Sequence, residues 1–117
     1  MVNKKLKQDY IQEAYNLKQA AKKNELKKLK FKTLDETSPD HCIYGQMTGS
    51  SVSARANFLI SQCCTKVYNC NQLKRVNLSA GLRRDLYFSP IEMALFTMTE
   101  EEKKNLINFL KGNQDDL

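Results

Sequence analysis

Ser89-Pro90-Ile91-Glu92 constrains the fold more than any other stretch of this chain. A serine followed three residues later by glutamate forms a reciprocal capping box, and proline is favoured at the first helical position. Phe88 and Met93 flank it where a hydrophobic staple would close. Thr99-Glu100-Glu101-Glu102 repeats the device ten residues on, with glutamates at the positive end of a second helix. That helix is expected to end at Lys111-Gly112, because glycine takes the left-handed turn without strain.

The N-terminal third adds a longer helix. Leu6, Tyr10, Ala14, Leu17 and Ala21 fall on one stripe at helical spacing. Ile11, Tyr15, Leu26 and Leu29 form a second, weaker stripe, so two packing partners are expected, with a break near Asn24. A further helix is predicted from Ser50 or Ser51 to about Val67, with Val52, Ala56, Leu59, Ile60, Cys63 and Val67 on one face and Ala54 and Phe58 opposite. Cys42-Ile43-Tyr44 reads as a short strand ending at Gly45, and Leu73, Val76, Leu78 and Leu82 as one or two more. The expected fold is therefore mainly α, with about four helices in a compact single domain and two or three short strands at most.

Its parts are a lysine-rich amphipathic helix over 1–32, a core over 33–112 and a flexible tail over 113–117. A chain of 117 residues with 41% hydrophobic content can bury one core. No apolar run approaches membrane-spanning length, and no apolar signal core follows the basic start, so a cytoplasmic protein without membrane contact is expected. Four cysteines then read as reduced thiols. Fifteen lysines against four arginines, with ten asparagines, match AT-rich genes such as those of phages and mobile elements.

Charge is concentrated. Residues 1–32 carry ten lysines against Asp9, Glu13 and Glu25, while the remaining chain is close to neutral. A lysine-rich helix can follow nucleic-acid phosphates without reading bases, although no helix-turn-helix, zinc-finger or RNA-recognition signature is present.

A second candidate lies in the middle. Gly45, Gln46, Thr48, Gly49, Ser50, Ser51 and Ser53 read as a tight loop opening a helix, with Arg55 one turn inside. Exposed N–H groups and hydroxyls there suit a phosphate or carboxylate. It is no Walker A loop, which ends in Lys-Ser or Lys-Thr. Arg75, Arg83 and Arg84 are the other arginines, and with Arg55 they would complete a cationic pocket on which Tyr44, Tyr68 or Phe58 stacks a base.

His41-Cys42 followed by five residues resembles in outline the phosphate loop of protein tyrosine phosphatases. Thr48 stands where that family's arginine belongs, so the family is not assigned. His41, Cys42, Cys63, Cys64 and Cys70 have poor zinc spacing, since neighbours on a helix diverge by roughly 100°. No cofactor, metal site or enzymatic activity is expected.

The first functional expectation is a small non-enzymatic protein that binds a phosphate-bearing, nucleotide-like ligand, such as a sequestered signalling nucleotide. The alternatives are a nucleic-acid-binding accessory protein using the basic helix, or a protein-binding inhibitor with Phe58 at its contact surface. Homo-oligomerisation is expected from the two-sided helices.

Overall fold

A computed structural model describes residues 4–64, 68–69 and 87–117. Helix α1 spans Lys4–Ala20, followed by the short α2 (Lys23–Leu26), a 3-10 turn at Phe31–Thr33, α3 (Ile43–Thr48) and α4 (Ala54–Cys63). Two-residue strands β1 (Tyr68–Asn69) and β2 (Tyr87–Phe88) pair antiparallel, with Tyr68 opposite Phe88. Helices α5 (Pro90–Leu95) and α6 (Glu100–Lys111) complete the described chain. The protein is mainly helical and forms one globule. No helix among the described residues is long and apolar enough to cross a membrane.

Helix α1 is the axis of the core. Leu6, Tyr10, Ala14 and Leu17 from the anticipated stripe are buried, and α1 packs against α4, α5 and α6. The helix stops at Ala20 because Lys22 is extended (φ −75°, ψ 150°), earlier than the expected break at Asn24. Its N–H donates to Glu25 Oε1 at 2.8 Å, which starts α2 afresh. Leu26 and Leu29 are buried after this break, so the second stripe is divided: Ile11 and Tyr15 lie on α1, Leu26 and Leu29 on a separate segment, and no continuous helix runs over 1–32.

Both C-terminal capping boxes form as read. Ser89 N donates to Glu92 Oε1 at 3.0 Å, and Glu92 N to Ser89 Oγ at 3.2 Å. Thr99 and Glu102 exchange the same bonds at 3.0 and 3.1 Å. Gly112 caps α6 with φ 86°. Beyond it, Leu117 packs against the core, although the tail carries no helix or strand.

Residues 42–49 differ from the expected strand and loop. Ile43–Thr48 is a helix, with Ile43, Tyr44 and Met47 buried at helical spacing and Gly49 ending it at φ 97°. Cys42 serves as N-cap, its Sγ accepting from Gly45 N at 3.3 Å. Gly45 makes this packing feasible: a Cβ there would lie 2.1 Å from the Pro39 carbonyl oxygen. Helix α4 starts later and ends earlier than expected. Ser53 is its N-cap, Val52 is 45% exposed, and the chain is already extended at Cys64. The strand candidates Leu73, Val76, Leu78 and Leu82 lie outside the described residues, as do Val67 and Cys70.

Among the described residues the most deeply buried acidic side chain is Glu13 of α1, only 1% exposed. Tyr44 Oη of α3 donates to Oε2, and the Ile91 N–H at the start of α5 donates to Oε1 at 2.7 Å. Burial pushes its pKa up to about 7, against the hydrogen bonds from Tyr44, Ile91 and Ser89; the neighbouring Glu92 pushes the same way as burial. One carboxylate thus ties three helices together.

Two predictions follow from this core. Gly45→Ala should lower stability by about 1–3 kcal/mol, since the clash is with backbone that cannot swing aside; urea titration checks it. The second concerns pH. A raised carboxyl pKa favours the neutral form in the fold, so the Glu13 contribution is full below the ordinary value of 4.5 and is lost as pH rises through about 7. Thermal melts from pH 5 to 8 should show a falling melting temperature, and Glu13→Gln should flatten the trend by up to about 3 kcal/mol.

Candidate functional site

The residues proposed around Gly45–Arg55 use most of their polar groups in bonds within the protein. Gln46 Oε1 accepts from Lys30 N at 2.6 Å, and its Nε2 donates to the Lys30 and His41 carbonyls, both at 3.1 Å. Thr48 Oγ1 lies 2.8 Å from the Tyr44 carbonyl and 2.9 Å from that of Ser50. Ser53 Oγ donates to Thr48 Oγ1 at 3.0 Å and accepts from Ala56 N at 3.1 Å. Ser50 Oγ accepts from Val52 N at 3.2 Å, and Ser51 N donates to the Pro39 carbonyl at 2.8 Å. The structure does bring Thr48, Ser50 and Ser53 together, as a hydroxyl-lined seam between α3 and α4.

Arg55 is engaged elsewhere. Its Nε and Nη2 each donate to Glu25 at 2.8 Å, a bidentate pair joining α4 to α2. The guanidinium beside it holds the Glu25 carboxyl below the usual glutamate range. An anion at this position would have to displace a carboxylate already held by two charge-assisted bonds. Tyr44 is fully buried against Glu13, and Phe58, 50% exposed, has the Arg55 guanidinium 5.4 Å from its ring centroid. Arg75, Arg83, Arg84 and the side chain of Tyr68 lie outside the described residues.

Burial raises the thiol of Cys63 to about 11 and that of Cys64 further still, so both stay protonated at neutral pH. No group of three or more possible metal ligands occurs among the described residues. The His41 ring lies against Ser38, with Nδ1 3.0 Å from Oγ.

Two clefts are formed elsewhere by the described residues. One cleft of about 250 Å3 is lined by Lys18, Lys23, Lys27, Lys111, Leu26 and Leu110, with Gly112 at its end. A second, of about 410 Å3, is lined by Lys30, Phe31, Lys32, Lys104, Asn108 and Lys111. Lys111 borders both, and no Asp or Glu is among the described lining residues. Lys104, Asn108 and Lys111 sit at i, i+4 and i+7 along α6, one flank of the helix. Lys30, Phe31 and Lys32 enter and form the 3-10 turn that packs on α6. Gln46 grips the Lys30 backbone at both its N–H and its carbonyl, so an anticipated ligand residue instead fixes one wall of the second cleft.

Lys30 and Lys32 belong to the anticipated basic segment, whereas Lys104, Asn108 and Lys111 were not anticipated as site residues. Their signal was the regular polar spacing on the last helix, which also fits a solvated face. Comparison of the chain with protein-family models, curated proteins and solved structures gave no match.

The ion pair at Arg55 predicts a stability effect. Arg55→Ala should cost about 1–2 kcal/mol by leaving the nearly buried Glu25 without its partner. Chemical denaturation at pH 7 checks this, and acid should erase the difference as Glu25 protonates.

Proposed function

We propose that this protein binds nucleic acid through the lysine-lined clefts between the 22–32 segment and α6. The observation that carries the reading is the convergence of seven lysines on two adjoining recesses with no carboxylate among their described lining residues. Such a field attracts phosphates without reading sequence, and affinity comes from the counterions that the bound lysines release. Recesses suit a strand better than a bilayer, which calls for an amphipathic surface laid flat on the headgroups. The first cleft also contains the C-terminal end of α6, whose partial negative charge offsets some of the lysine field. The exposed Val52 and Phe58 add apolar area that supports association between copies of the chain.

Fluorescence anisotropy with a labelled oligonucleotide across a salt series tests this reading. Wild-type protein should bind at ~50 mM salt and weaken steeply as salt rises. The triple variant Lys30→Gln, Lys104→Gln, Lys111→Gln should lose about tenfold or more in affinity and show a shallower slope, by roughly 2 to 3 in the log–log plot. Arginine at the same three positions should preserve binding. Absence of binding at low salt, or a triple variant indistinguishable from wild type, would overturn the reading.

A further inference from the structure

The second cleft differs from an ordinary basic patch in having an aromatic ring among its lysines. Phe31 is half-buried: one part of the side chain packs against the core cluster, and the Lys104 ammonium stands 5.1 Å from the ring centroid. The ring face towards Lys104 is therefore covered by an exposed side chain and not by the interior. A flat group can take that place while the ammonium swings to a neighbouring phosphate. Asn108, exposed on the same wall, offers both an amide donor and a carbonyl acceptor.

Together these groups supply what a flexible strand needs and a duplex cannot use. Lys30, Lys32, Lys104 and Lys111 follow a phosphate backbone, and Phe31 offers a face to an unstacked base. In a duplex the base faces are already stacked on each other, and the phosphates of a convex cylinder would meet only the rim of the recess. The wall holding Phe31 is also preset, because Gln46 clamps the Lys30 backbone from α3. Ordering that turn is thus largely complete before a ligand arrives, which lowers the entropic cost of binding.

We propose that the cleft formed by Lys30, Phe31, Lys32, Lys104, Asn108 and Lys111 takes single-stranded nucleic acid, with Phe31 as the base-stacking platform. This rests on the nucleic-acid reading above and specifies its substrate class.

The chain has no tryptophan, so Phe31→Trp would place a single indole reporter at the platform. Addition of an oligothymidylate should quench its fluorescence, whereas a duplex of equal length or inorganic polyphosphate should not. In anisotropy, wild-type protein should prefer the oligothymidylate to the duplex. Phe31→Leu, which retains apolar packing, should weaken single-strand binding by about tenfold, the size expected of one lost base–aromatic stack, while leaving the salt slope unchanged. Equal affinity for single strand and duplex, unaffected by Phe31→Leu, would overturn the stacking proposal and leave the phosphate-binding reading standing. Quenching by a mononucleotide with the affinity of the oligonucleotide would assign the cleft to a free nucleotide and overturn the strand. Binding to none of these probes would overturn both readings.

Discussion

The buried carboxylate of Glu13 is the constraint around which the described core is arranged. Burying a polar group is costly unless hydrogen bonds replace its water, and here the replacements come from two other helices. Tyr44 reaches it from α3 and the Ile91 N–H from α5. The Ile91 donor exists because a helix start leaves its first N–H groups without intrahelical partners. Ser89 and Glu92 satisfy others through the capping box, and Glu13 takes the one aimed into the core. Hydrophobic packing along Leu6, Tyr10, Ala14 and Leu17 brings α1 and α5 together, and the carboxylate fixes how they meet.

Local signals were legible wherever the determining partners lie within one turn. The boxes at Ser89 and Thr99, the glycine stop at Gly112 and the apolar stripe of α1 all fall in this category. Residues 42–49 were not legible because their helix depends on contacts outside it, with Pro39 six residues back and Glu13 31 positions away. Gly45 argues locally against a helix, yet the Pro39 carbonyl leaves no room for any side chain there. The stop of α1 was placed a few residues late for a related reason. Lys22 turns outward so that Glu25 can cap α2 and meet Arg55, a residue 30 positions away.

The candidate site shows the same division. Serines, threonine and glycines followed by an arginine have the composition of an anion loop, but composition does not show which hydroxyls and cations the fold uses internally. Gln46 and Arg55 act as struts, one holding the Lys30 turn and the other locking α2 to α4. The basic character of residues 1–32 was evident at once, whereas its continuation onto α6 required the packing of the 3-10 turn against that helix.

Charge segregation follows from those same struts. Of the three acids in the basic segment, Glu13 is turned into the core, where burial favours its neutral form, and Glu25 is matched by Arg55. Lys103 on α6 pairs with Glu36 at 3.1 Å, so that ion pair is made by the lysine adjacent to Lys104 and not by those bordering the clefts. The interactions that secure the helices therefore consume carboxylates that would otherwise neutralise the surface lysines. Stability and surface field are coupled in this arrangement: the groups that hold α1, α2 and α4 in place also leave the recesses beside α6 positive.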